Sequence, residues 1–307
     1  MTECERLLEN GFITKEFLQE ETRDGYLVSA EMKKVWAIEM DLLRKFISVC
    51  EKYHLCYWVG EGTLLGTIRH KGFIPWDDDL DVWMPREDYD RLLLISPEEF
   101  EEPYFLQTTE NDQDYYCAFA RLRNCRTTAI TVSEKNQCNN GIYIDILPLD
   151  GLYRNTFRQE IKSFRIHIYN ILANAYVFNT NHSRLAQTIN KILHLSAFRF
   201  SPQKIYRKVN RICRKIPWER TTKVGDIVFT SFLSPYKELY LEKKDFDATI
   251  NMPFEGMTVR VPKGYDTILR HIYHEYMKFP PVESRGNWHH FTFDPDHAYN
   301  HRDEAHS

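Results

Sequence analysis

Residues 62–84 read GTLLGTIRHKGFIPWDDDLDVWM, and four aspartates, Asp77, Asp78, Asp79 and Asp81, crowd together inside it. Their neighbours are Phe73, Ile74, Trp76, Leu80, Val82 and Trp83, which a solvated acidic loop would not need. Carboxylates held together against apolar groups repel one another, which raises some of their pKa values and costs stability unless a cation sits between them. The run DLDVWMP reads as a strand. Side chains two apart on a strand share a face, so Asp79 and Asp81 are expected side by side, close enough to share a divalent ion. Asp77 joins them if the strand extends back toward Pro75, and Asp78 then points away. Oxygen-only ligands favour Mg²⁺ (or Mn²⁺) over zinc. An EF-hand is excluded, because counting from Asp77 the sixth position is Val82 where Gly is required and the twelfth is Asp88 where Glu is required.

Upstream, Gly60, Gly62 and Thr63 form a glycine turn that leads into TLLGTIRH, a short helix with Thr63 as its expected cap. Backbone N–H groups at a helix start can hold phosphate oxygens. Arg69, His70 and Lys71 follow, and Arg121 and Arg123 stand on a later strand-like run, CAFARLR. A metal facing a phosphate cradle implies phosphoryl chemistry, in which cations neutralise the transferred group.

Around this core, AEMKKVWAIEMDLLRKFISVCEKYH reads as a helix, with Val35, Ile38, Leu42, Phe46 and Val49 recurring at helical spacing. PYFLQT and GIYIDILPL read as strands, the latter broken at Pro148, and REDYDRLLLIS as a helix. TINMPFEGMTVRVP reads as a hairpin turning at Glu255-Gly256, and GYDTILRHIYHEYM as a helix closed by Pro280-Pro281. Strands and helices interleave around one sheet, an α+β class. Between Arg154 and Lys223 the pattern is helical and strongly basic, with Glu160 and Glu219 as its only acids. That excess is hidden in the overall net charge of −4, which gives no sign of a nucleic-acid partner. The seven cysteines are odd in number and form no CxxC pair, which argues against a disulfide framework or zinc knuckle. Neither a signal peptide nor a membrane-spanning apolar run is seen, so a soluble, intracellular protein is expected.

The opening stretch, together with LRNCRTTAI, GIYIDILPLDG and VPKGYDTILRHIYHEYMKFPP, resembles the signatures of the LicD family of bacterial phosphocholine transferases, which is related to fukutin and fukutin-related protein. The resemblance runs from about Lys33 to His290 and is weakest in the basic middle. It implies a nucleotidyltransferase-type fold: a mixed sheet flanked by helices, with a basic helical insertion. The implied division is a first part of the core in 1–151, the basic helical region in 152–223, a second part of the core in 224–293 and a loose tail in 294–307. By that resemblance Asp79, Asp81 and a third acid, Asp145, are catalytic, and with Asp77 they hold Mg²⁺ or Mn²⁺. Asp145 sits between Ile144 and Ile146 and needs either a metal or an arginine such as Arg121 as partner. Gly62, Thr63, Arg69, Lys71, Arg121 and Arg123 would bind nucleotide and phosphate. Glu61 stands where the family pattern has a small or apolar residue; with Trp76 it could face choline's quaternary ammonium. Arg285 and His289 are candidates for late contacts.

The implied donor is CDP-choline or a related CDP-alcohol. The implied acceptor is a glycan or lipid-linked glycan, in lipopolysaccharide, teichoic acid or capsule. The implied location is cytoplasmic, with peripheral contact at the inner face of the plasma membrane as a further option. The rival readings are another CDP-alcohol donor (ribitol, glycerol or ethanolamine), a DxD sugar-nucleotide glycosyltransferase and a non-catalytic glycan-binding protein.

Overall fold

The computed structural model describes residues 1–112, 114–131, 138–177, 202–229, 240–286 and 291–299. In chain order its helices are α1 (Glu3–Glu9), α2 (Ala30–Lys52), α3 (Glu61–Arg69), α4 (Arg86–Glu99), α5 (Thr156–Val177), α6 (Pro202–Cys213) and α7 (Tyr265–Tyr273). Its strands are β1 (Glu21–Arg23), β2 (Tyr26–Val28), β3 (Trp58–Val59), β4 (Asp81–Pro85), β5 (Tyr104–Gln107), β6 (Ala120–Asn124), β7 (Thr128–Thr131), β8 (Tyr143–Gly151), β9 (Lys223–Gly225), β10 (Leu241–Glu242), β11 (Thr249–Phe254), β12 (Met257–Pro262) and β13 (Phe291–Asp294).

The main sheet is mixed and flanked by helices, as the α+β reading expects. Its axis is β8, whose residues are all buried. Ile144, Ile146, Leu147 and Leu149 make it apolar on both faces, which suits a central strand. It pairs in parallel with β4, antiparallel with β6, and through Asp150 and Gly151 with β9. The edges are β3 beside β4, β5 beside β6 and β10 beside β9. Pro148 does not break β8, because the strand runs through it opposite Met84 of β4.

Helix α2 packs on β6 and β8 and is enclosed along its middle, with every residue from Val35 to Leu43 buried. Burying each large apolar side chain, such as Leu42 or Phe46, contributes roughly 1.5–3 kcal/mol. The Ser29 hydroxyl caps its start by accepting from Met32 N at 3.2 Å. One turn further on, the Trp36 ring stacks on Phe73 at 4.5 Å, and its Nε1 donates to the Asp77 carbonyl at 3.3 Å. The core helix therefore holds the loop that carries the aspartates.

A second restraint on that loop comes from the far end of the chain. The β11–β12 hairpin turns at Glu255 (φ 44°) and Gly256 (φ 78°), the left-handed pair that a tight hairpin requires. Glu255 N donates to the Lys71 carbonyl at 2.9 Å, its Oε1 accepts from Phe73 N at 3.1 Å, and its carboxylate pairs with Arg23. A Cβ on Gly72 would lie 1.9 Å from Glu255 Oε1, so a larger residue there would displace the Glu255 carboxylate from these partners.

Two further expectations shift and one is met as far as the chain is described. Helix α7 stops at Tyr273, well before the prolines, because His274 takes φ 55°. The basic region contributes α5 and α6, while 178–201 lie outside the described residues. The stretch after Asp294 is tied down as far as it is described, since Asp296 pairs with Lys34 at 2.7 Å and the His297 carbonyl accepts from Thr128 Oγ1 at 2.9 Å. Among the described residues no helix is long and apolar enough to cross a membrane.

Candidate active site

The site forms where α3, β4 and β8 meet. Asp81 is the first residue of β4 and stands in register with Asp145 of β8, which stands in register with Arg121 of β6. Residues in register point to the same side of a sheet, so the three form one row on one face. Arg121 Nε donates to Asp145 Oδ1 at 2.7 Å. The arginine expected to serve phosphate is thus engaged by Asp145, which is the arginine alternative of the two partners expected for that aspartate.

The glycine turn is stitched to the same row. Asp81 N donates to Thr63 Oγ1 at 2.8 Å, and Gly60 N donates to the Asp81 carbonyl at 2.9 Å. Thr63 is therefore not the cap expected from sequence. The helix starts earlier, at Glu61, with Gly60 in the cap position, and this frees the Thr63 hydroxyl to fix the start of β4. Gly62 lets the Asp77 carboxylate approach the turn closely, since a Cβ there would lie 2.7 Å from Asp77 Oδ2 and displace it.

The aspartates are arranged differently from the strand reading. Asp77, Asp78 and Asp79 each present an oxygen within 4.8 Å of the others, and Asp78 belongs to this group instead of pointing away. The physical reason is that β4 begins only at Asp81, so the alternation of a strand does not govern residues 77–80. Asp79 nevertheless reaches the Asp81 row: burial pushes the Asp81 carboxyl well above its usual range, and Asp79 is the largest neighbouring charge adding to this, followed by Asp145 and Glu61.

Two features of the site went unread in the sequence. The first is Glu39 on α2, 1% exposed, whose Oε2 has no hydrogen-bond partner among the described residues. Burial holds its carboxyl well above the ordinary value, and Asp79, Asp78, Asp77 and Asp145 push it further. The spacing carried a signal, since Glu39 falls on the buried face between Val35 and Leu42 where an acid is out of place. The second is a carboxyl pair. Glu61, at φ 41°, shares a hydrogen bond with Asp226, and Tyr273 Oη donates to Glu61 Oε2 at 3.4 Å. Burial, then Asp226, raises the Glu61 carboxyl well above its usual range, and burial pushes Asp226 up to about 6. Nothing local in the sequence marks Asp226 or Tyr273.

The cations divide. Arg69 Nη1 donates to the Tyr276 carbonyl at 2.7 Å, and its guanidinium lies 5.8 Å from the Trp76 ring. Arg285 lies 4.7 Å from the same ring, so the Trp76 ring expected for choline already has two guanidiniums beside it. Arg123 is buried, with its guanidinium donating to Gln107 and to the Gly141 carbonyl at 2.6 Å, away from the aspartates. Lys71 is exposed, in a left-handed turn (φ 60°). His289 lies outside the described residues.

A divalent cation suits this donor set. The ligand atoms are carboxylate oxygens, the Glu39 oxygen is buried without a hydrogen bond, and Arg121 is the cation bonded within the row.

A family model described as LicD/FKTN/FKRP, nucleotidyltransferase domain, matches residues 54–182. The chain is also 30% identical over 251 residues to a lipopolysaccharide cholinephosphotransferase LicD of Haemophilus influenzae, an alignment covering 80% of this chain and 91% of that protein. The chain belongs to the LicD family. It also shares 33% identity over 114 residues with an uncharacterized protein of Rickettsia prowazekii, covering 36% of this chain and 38% of that one. The LicD match at 54–182 includes the glycine turn, the aspartates and Asp145. Glu39, Asp226 and Tyr273 lie outside it, so the acidic surroundings of the site are completed by parts of the chain on either side.

Proposed function

We propose that this LicD-family protein is a metal-dependent transferase on a nucleotidyltransferase-type fold that moves phosphocholine from CDP-choline to a sugar hydroxyl of a lipopolysaccharide-type glycan, releasing CMP. The observation that carries the reading is the row of Asp81 and Asp145 beside the Asp77–Asp79 group, set directly over the glycine turn of α3. The relative that aligns with most of this chain is named for cholinephosphotransfer to lipopolysaccharide, which supports the donor and acceptor.

Asp77, Asp79, Asp81 and Asp145 would hold Mg²⁺ or Mn²⁺, which supplies charge neutralisation on the diphosphate. The N–H groups of Gly62 and Thr63 at the start of α3 serve phosphate oxygens, with Arg69 and Arg285 as the nearby guanidiniums. The acceptor hydroxyl attacks the choline-bearing phosphorus. A new P–O bond forms to the sugar, the P–O bond to CMP breaks, and an aspartate of the group takes the hydroxyl proton. Thr63 fixes the first residue of β4, and Arg121 fixes Asp145, so the carboxylates stand ready without rearrangement. The buried Glu61 and Asp226 carboxyls offer negative charge for the quaternary ammonium once a cation compensates their burial.

Calorimetric titration of CDP-choline with and without Mg²⁺, repeated for Asp79→Asn/Asp81→Asn, CDP-ribitol and CDP-glycerol, tests the reading. Metal-dependent binding of CDP-choline that the variant loses supports site and donor together. Preference for another CDP-alcohol keeps the site and replaces the donor, and no nucleotide binding under any condition removes both.

A further inference from the structure

Helix α5 exposes four large apolar residues, while three polar residues, Gln159, Lys162 and Ser163, are buried on its inner face beside Ile166. Phe157, Ile161, Phe164 and Ile168 are 73%, 45%, 59% and 39% exposed. They recur at spacings of four, three and four residues, which makes a single stripe along one helix face. The opposite face carries Gln159, Lys162 and Ser163, all buried and all bonded. Lys162 Nζ donates to the carbonyls of Gly151 at 3.0 Å and Cys213 at 3.1 Å, closing the ends of β8 and α6. Gln159 accepts from Tyr153 N at 2.9 Å, and Ser163 meets the Tyr240 hydroxyl at 2.7 Å. The orientation of the helix is therefore fixed from inside. Single exposed apolar residues are ordinary, but a continuous stripe with two phenylalanines marks a surface that docks on something.

The charge beside the stripe indicates what. Arg158 and Arg165 flank it on α5, and Arg211 and Lys215 are exposed on or just after α6, the helix packed against it. A cleft of about 240 Å³ between the two helices is lined by Arg158, Arg165 and Lys215 together with Ile161 and Ile212. We propose that this face of α5 and α6 docks peripherally on an anionic phospholipid bilayer, with the stripe in the acyl boundary and the cations among headgroup phosphates. A protein partner would need an apolar groove matched to the stripe and an acidic rim matched to the cations, whereas an anionic bilayer offers both everywhere. Both helices also pack on the turn Ile227–Phe229, which directly follows Asp226 at the site. The docked face is thus built onto the wall of the site, and docking brings membrane-borne acceptors near it. The docking itself stands without the transfer chemistry.

Co-sedimentation of the full chain with phosphatidylcholine vesicles, with and without phosphatidylglycerol, tests this at low and high salt. The expected result is binding to the anionic vesicles alone, released by salt. Phe157→Ser/Phe164→Ser and Arg158→Glu/Lys215→Glu each lower partitioning by roughly tenfold or more. All four positions are exposed, so neither variant shifts the thermal midpoint. Absence of binding at low salt overturns the proposal, as does binding that survives Phe157→Ser/Phe164→Ser. A drop of the midpoint in that variant means that the stripe packs within the chain, and a dimer that it converts to a monomer means that a second copy covers the stripe; either overturns the proposal too.

Discussion

The parallel pair β4–β8 carries charge at both of its ends, and the two ends follow opposite rules. At the far end Arg86 and Asp150 are both buried and bind in a fork, Nε to Oδ1 at 2.8 Å and Nη2 to Oδ2 at 2.7 Å, with Asn210 accepting from Nη1 at 3.1 Å. At the near end Asp81 stands beside Asp145 and faces further acids, Asp79, Glu61 and Asp77. A buried charge that is matched and fully bonded holds the fold together, while like charges left side by side destabilise it and are kept for binding. The difference separates carboxylates that hold the fold from those of the proposed site within a few residues of one strand.

Breaking the near end is expected to have the largest effect. Asp81→Asn lowers transfer on the order of 10³-fold in a product assay, because the charge stabilisation that a bound metal offers is several kcal/mol. In metal-free buffer the same variant unfolds at an unchanged or higher temperature, since a repelling charge is gone. Breaking the far end does the reverse. Asp150→Asn leaves Arg86 buried without its counter-charge and costs about 3–5 kcal/mol in urea unfolding.

The pH dependence sharpens the contrast. Burial raises Asp226 from 3.8 to about 6. A carboxyl whose pKa rises on folding contributes its stability fully below its unfolded value, and that contribution is lost as pH climbs through the folded value. Metal-free Asp226→Asn should therefore gain stability relative to the parent chain as pH rises from about 4 to 7, approaching roughly 3 kcal/mol. Parallel curves for the two proteins contradict the assignment. The smallest effect belongs to Thr63→Val, which removes the acceptor for Asp81 N and costs about 1–3 kcal/mol in the same unfolding assay.

What could be read in the sequence was what lies close together along it. The hairpin at Glu255-Gly256 and the apolar strand around Asp145 follow from local pattern, and the structure places them as that pattern suggests, whereas the acid cluster and the glycine turn are legible as motifs but not in their detailed arrangement. Alternation failed for Asp78 because it assumes a strand, and the strand starts only at Asp81. Thr63 was read as a cap because hydroxyls often cap helices, whereas here the hydroxyl accepts from a strand 18 positions away. Tyr273 meets Glu61 across 212 positions, and no local pattern encodes such a contact. Trp76 was legible as an aromatic beside the acids, but the guanidinium of Arg285 next to it comes from the other end of the chain.

The clasp at Glu255 has a consequence for how the protein is made. A ribosome releases the aspartate loop long before it releases the residue that binds Phe73 N, the Lys71 carbonyl and Arg23. Until then the loop has α2, α3 and β8 beside it but lacks the restraint at Phe73 and Lys71. Competence therefore arrives late in synthesis, after the β11–β12 turn has emerged. A fragment cut to residues 54–182, the family-matched region, carries every aspartate of the motif and still lacks both α2 and the clasp that hold them in place.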